Sequence, residues 1–137
     1  MPMRTVGLTQ ASGYQIGVRR TLNLSIQEAW ELITSTQGIQ AWLGVDPSLR
    51  IEKGRRFHTE EGVSGEITTL NQQENIRMSW RIANWDKPSI VQVRTIASGT
   101  AKTTISFHQE KLDSPDTREA MKLYWEQALN RLKELSQ

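Results

Sequence analysis

The last third of the chain, from Asp113 to Leu135, constrains the fold most, because it reads as one long amphipathic helix. Asp113 or Ser114 can cap its start. Pro115 suits the first helical position, where a missing N–H costs nothing. Asp116 and Glu119 put negative charge in the first turn, and Arg131 and Lys133 put positive charge near the last, both matching the helix dipole. Met121, Tyr124, Trp125, Ala128, Leu129, Leu132 and Leu135 recur at helical spacing. They fill an arc of about 140°, which suits packing on a sheet better than a narrow coiled-coil seam. Lys122, Glu126, Asn130 and Glu134 fall on the wet side, with Leu123 as an apolar exception there. A helix of this kind is not stable on propensity alone, so the preceding chain must supply an apolar surface for it.

That surface is legible as strands. From Tyr14 the chain alternates, with Tyr14, Ile16, Val18, Leu22 and Leu24 on one face, and Arg20 intruding on it. Ser25 to Glu28 forms a capping box, and Ile26, Ala29, Trp30 and Ile33 continue at the spacing of a short helix. Thr34 to Thr36 interrupt it and cap a second short helix carrying Ile39, Trp42 and Leu43, which Gly44 stops. Leu49 and Ile51 lead as a strand into a Lys53-Gly54 turn, and Phe57 follows. Four further strands follow across Val63–Leu70, Ile76–Ile82, Ile90–Ile96 and Thr103–Gln109, with polar turns between them. Short turns between strands favour an antiparallel sheet. The expected fold is α+β: an antiparallel sheet of about seven strands, with the two short helices and the C-terminal one over a single face. Residues 14–137 form one domain, and 1–13 read as a loosely held N-terminal arm.

Composition excludes several classes. Seventeen basic against fifteen acidic residues give a net charge of +2, too small to argue for nucleic acid. The cluster Arg50, Lys53, Arg55 and Arg56 reads as a solvated hairpin tip. The absence of cysteine excludes disulfides, thiol catalysis and cysteine-ligated zinc, and fits a reducing cytoplasm. No apolar run reaches the ~20 residues that span a bilayer. No secretion signal, metal site or cofactor is expected.

The order of these elements resembles the helix-grip fold of the START-like (SRPBCC) superfamily. More narrowly, Val18-Arg19-Arg20-Thr21-Leu22, Ala29-Trp30 and Ala41-Trp42-Leu43-Gly44 are similar to the opening of the Hsp90-ATPase-activator-homologue-1-like family. Gly62 to Leu70, with Gly65-Glu66-Ile67 at its core, and Met78-Ser79-Trp80 resemble its middle. Phe107-His108-Gln109-Glu110-Lys111-Leu112, leading to Trp125, resembles its close. The resemblance implies a curved sheet gripping the C-terminal helix, often with a cavity between them. The family takes its name from a eukaryotic co-chaperone in which this fold is the C-terminal domain.

Three functions follow as expectations. The first is binding of a small apolar or amphipathic ligand in a cavity between sheet and helix. The second is a co-chaperone-like interaction module, and the third a cavity enzyme of cyclase or hydrolase type. The ligand-cavity candidates are Trp42, Trp80 and Trp85 at the mouth, with Met121, Tyr124 and Trp125 facing it from the helix. Arg20 and Glu66 are candidates for a buried pair that orients a polar head group. His108 is a candidate base beside Glu110. His58 and His108 lack metal-ligand spacing, and no catalytic residue is assigned. A small hydrophobic ligand and a chaperone are the expected partners, and no nucleic acid or membrane is. The sequence is compatible with a monomer or a homodimer, with Leu123 as a candidate dimer contact.

Overall fold

The computed structural model describes residues 8–9 and 13–137. The expected arm, residues 1–13, lies outside the described residues except for Leu8, Thr9 and Gly13, which belong to strands. The elements run β1 (Leu8–Thr9), β2 (Gly13–Leu22), α1 (Ile26–Thr34), α2 (Thr36–Trp42), β3 (Arg56–His58), β4 (Val63–Asn71), β5 (Asn75–Ile82), β6 (Ser89–Gly99), β7 (Lys102–Leu112) and α3 (Pro115–Leu135). The strands form one antiparallel sheet in the order β1-β2-β7-β6-β5-β4-β3. This is the expected α+β helix-grip architecture.

The topology explains where the helices go. β2 lies near one edge of the sheet and β3 is the other edge, so the chain between them must cross the sheet's full width. It carries α1 and α2 on the way. Both helices start where the local sequence says they should. Ser25 and Glu28 complete the capping box, and Ser35 accepts from the Gly38 N–H to start α2. Gly44, at φ +126°, ends α2 in a conformation that L side chains rarely adopt.

α3 begins at the Ser114 cap, whose hydroxyl accepts from the Thr117 N–H, with Pro115 in the first turn. Met121, Trp125, Ala128, Leu129 and Leu132 are its buried stripe, and they face the alternate residues of the sheet that point inward. Three arginines then lock it laterally. The Arg118 Nε donates to the Gln15 carbonyl at 2.7 Å, the Arg131 Nε donates to the Ala41 carbonyl at 2.8 Å, and Arg20 donates to the Asn130 side chain.

Two expectations need correcting. Leu49 and Ile51 do not form a strand; they pack on the core from a loop, which Asp46 pins by accepting from the His58 and Ser48 N–H groups. Leu135 is 42% exposed rather than core, and it is the last residue of the helix.

Candidate functional site

The space beneath α3, where a cavity was expected, is occupied by rings. Trp125 stacks on Phe107 at 4.7 Å between centroids and 15° between planes. Tyr124 meets Trp125 edge-on at 4.8 Å, and Trp80 meets Tyr124, Trp125 and Trp85 at 5.4–5.8 Å. Trp42 reaches Phe107 from α2 at 5.8 Å. The stacked pair and the edge-to-face pairs are arrangements that aromatic quadrupoles favour, each contributing about 0.5–1.5 kcal/mol beyond the area it buries, and the Trp42–Phe107 and Trp80–Trp125 pairs are tilted between the two. Trp42, Trp80 and Trp125 are each 0% exposed. The expectation that Trp42 and Trp80 border a cavity mouth is therefore corrected: they are packed inside, and Met121 is buried with them.

A buried polar chain runs through the same cluster. The Trp125 indole N–H donates to the Gln109 Oε1 at 2.8 Å. The Gln109 amide donates to the Ser89 hydroxyl at 2.9 Å, which donates to the Trp80 carbonyl at 2.7 Å. The chain ties α3 to β7, β6 and β5. Gln109 is 0% exposed and was not singled out from the sequence. The signal was present, since the alternation that turns Ile105 and Phe107 inward also turns Gln109 inward. A hydrophobic pattern simply passes over an amide. One donor stays outside the network: the buried Trp80 indole N–H has no hydrogen-bond acceptor among the described residues. Its ring neighbours are Trp85, Tyr124 and Trp125.

Two clefts open beside the cluster. Trp85, half-buried in the β5–β6 loop, borders one of about 370 Å³, with Asp86 and Lys87 on one side and Leu112, Asp113 and Thr117 on the other. Of the three tryptophans expected at a mouth, Trp85 is the one that borders a cleft. Tyr124 borders a second cleft of about 410 Å³ with Gln40, Glu61, Val63, Ile82 and Arg131. Burial raises the Tyr124 hydroxyl's pKa above its ordinary value; the Arg131 charge opposes that and the Glu61 charge adds to it. Glu61 is engaged by its neighbour, accepting from the Val45 N–H at 2.9 Å.

The polar candidates do not converge on this region. Glu66 pairs with Arg56 at 3.2 Å, while Arg20 reaches Asn130 on α3, so the expected Arg20–Glu66 pair does not form. The reason is alternation: Gly65 and Ile67 turn inward, which sends Glu66 to the sheet's outer face. His108 also lies on that outer face, between the inward Phe107 and Gln109, with its Nε2 3.0 Å from the Gln15 side-chain oxygen. Glu110 does not hold it; Glu110 pairs with Arg77 at 3.0 Å. Among the described residues no group of three or more His, Asp or Glu side chains comes together in a way that could hold a metal ion. Among the described residues no helix is long and apolar enough to cross a membrane.

Comparison with known proteins agrees with this geometry. Residues 23–137 match the family model described as Activator of Hsp90 ATPase homolog 1-like protein. The human Activator of 90 kDa heat shock protein ATPase homolog 1 is 25% identical over 116 residues, covering 81% of this chain and 34% of that protein. The chain thus spans about a third of the length of the curated relatives it matches. Among solved structures, CalU16 from Micromonospora echinospora superposes with a TM-score of 0.78 at 21% identity, covering 89% of this chain and 75% of its own. PFC0360w, an HSP90 activator from Plasmodium falciparum, superposes with a TM-score of 0.74 at 16% identity, covering 88% of this chain and 94% of its own. With a START-like fold and a family match over most of its length, the chain belongs to the Activator of Hsp90 ATPase homolog 1-like family.

Proposed function

We propose that this chain is a protein-interaction module that engages an Hsp90-type chaperone. The observation that carries this reading is the filled space beneath α3. Trp42, Trp80, Phe107 and Trp125 occupy the volume a gripped ligand would need, and they do so at zero exposure. A filled core leaves the outer sheet face and the loops as the working surface. The likeness to PFC0360w supports the same reading, because that HSP90 activator is matched over 94% of its own chain by a fold of this size. The test is direct. Purified protein is added to an Hsp90-type chaperone, and complex formation and ATP turnover are followed together. A stoichiometric complex with raised turnover is expected. No complex and unchanged turnover at saturating concentration would defeat the reading.

A second reading, binding of a small amphipathic ligand, is favoured by one observation. The Trp80 indole N–H is buried without an acceptor, and Trp85, which packs edge-on against Trp80, borders an open cleft. An orphaned buried donor costs about 1–3 kcal/mol, which a ligand acceptor would recover. A planar apolar molecule with one acceptor, displacing Trp85, fits that chemistry. Native mass spectrometry of the purified chain tests it, with Trp80→Phe expected to weaken any bound species. A cavity enzyme has less support, since Tyr124 is the one titratable group in the aromatic cluster and acid–base chemistry needs a convergent partner.

A further inference from the structure

The two faces of the molecule differ in charge, although the chain as a whole carries only +2. On the outer face of the sheet, alternation places five arginines outward, Arg19, Arg56, Arg77, Arg81 and Arg94, against two glutamates. Across the three helices the balance reverses, with six acidic residues against four basic ones. Both outer glutamates are already engaged, Glu66 by Arg56 and Glu110 by Arg77. Arg81 donates to the Trp85 carbonyl at 2.6 Å. Arg19 and Arg94 are exposed and have no ion-pair or hydrogen-bond partner among the described residues.

These two arginines share a row. Arg19 on β2 and Arg94 on β6 both register with Ser106 on β7, one on each side of it. Two strand spacings put their Cα atoms roughly 10 Å apart. Two guanidinium forks therefore flank one hydroxyl on a face that no helix among the described residues covers. Arginine forks pair bidentately with carboxylates, and the serine hydroxyl can donate a further hydrogen bond.

We propose that the outer sheet face, centred on Arg19, Ser106 and Arg94, docks an acidic segment of the chaperone partner. This rests on the interaction reading above and names the surface and the partner's chemistry. Charge complementarity is the argument: the face has unspent positive charge at its centre, while its own carboxylates are consumed by neighbouring arginines. An acidic protein segment fits better than nucleic acid. The outward positions of β2, β5, β6 and β7 carry no Phe, Trp or Tyr on which bases could stack.

The experiment measures binding of the full chain to an Hsp90-type chaperone by calorimetry at low and high salt. Wild type is compared with Arg19→Glu/Arg94→Glu and with Lys122→Glu on the helix side. The double reversal is expected to weaken binding at least about tenfold and to remove most of the salt dependence, while Lys122→Glu stays within about twofold. Circular-dichroism melts check that the variants fold, and Arg19→Gln/Arg94→Gln replaces the reversal if it does not. Unchanged affinity in the double variant overturns the proposed surface and leaves the interaction reading standing. If wild type does not bind the chaperone, that reading fails, and a poly-glutamate peptide decides the surface instead. Peptide binding that the double variant loses supports the proposal; no peptide binding overturns it. Tighter binding of a single-stranded RNA than of the peptide also overturns it, in favour of a nucleic-acid face.

Discussion

Removing the Trp125 ring tests the filled-core geometry most directly. Trp125 is 0% exposed and contacts three rings, Phe107, Tyr124 and Trp80. Trp125→Ala deletes those contacts and leaves a cavity, which costs about 3–5 kcal/mol. It also strands the Gln109 Oε1, which accepts the indole N–H at 2.8 Å. A buried acceptor left without a donor costs about 1–3 kcal/mol more. The combined loss, roughly 4–8 kcal/mol, is comparable with the whole stability of a typical domain. Trp125→Phe separates the two contributions. It keeps a ring over Phe107 but removes the donor, so the loss should be nearer the second figure. Trp125→Phe/Gln109→Met removes both partners of the bond and should cost less than the two single changes added together. The assay is urea unfolding followed by far-ultraviolet circular dichroism, where Trp125→Ala should move the midpoint by roughly 2–4 M at an m-value of about 2 kcal/mol/M, or leave no folded baseline. A loss below about 1.5 kcal/mol for Trp125→Ala would falsify the filled-core reading, because a ring lining open space has little packing to lose.

Three further outcomes are expected. Gly65→Ala should destabilise by about 2 kcal/mol or more, since its Cβ would sit 1.8 Å from the Ser79 carbonyl oxygen and 2.7 Å from the Phe57 ring; an unchanged melting temperature would contradict that close approach. Ser114→Ala should cost about 1 kcal/mol through loss of the α3 cap, with Ser114→Asp restoring most of it in the same urea assay. The hydrogen bond from the His58 N–H is the main cause that holds the Asp46 carboxyl below its ordinary 3.8, so its contribution is present above that value and is lost as pH falls through the lower folded pKa. Asp46→Asn should therefore flatten part of the fall in urea midpoint as the pH drops through and below the ordinary 3.8, and identical pH profiles would count against the loop staple.

The local features were legible because their causes lie within a few residues of each other. The Ser25–Glu28 box, the Ser35 and Ser114 caps, the Gly44 stop and the stripe from Met121 to Leu132 all depend on short spacings that any reading of the chain can measure. Alternation similarly sorted most strand residues between two faces, and the family's motifs carried the order of elements. The candidate site was legible only in part. That Trp80, Tyr124 and Trp125 share one neighbourhood could be expected. That they close it depends on rings from α2, β5, β7 and α3 meeting at particular angles, and one-dimensional spacing holds no information on those angles.

By itself, the sequence determined a two-layer α+β domain with a long helix over an antiparallel sheet, because periodicity and capping act locally. Only the tertiary structure decided what lies between the layers. Arg118 bonds a carbonyl 103 residues away and Arg131 one 90 residues away, and the Trp125–Gln109 bond joins helix to sheet. The same alternation that predicts two faces does not say which polar residues will find partners across strands. That is why Glu66 pairs with Arg56 rather than with Arg20, and His108 lies beside Gln15 rather than being held by Glu110. Volume, unlike pattern, is a property of the whole packed set. The space beneath α3 is filled because four large rings from distant segments converge on it, and nothing local to any one of them specifies the others.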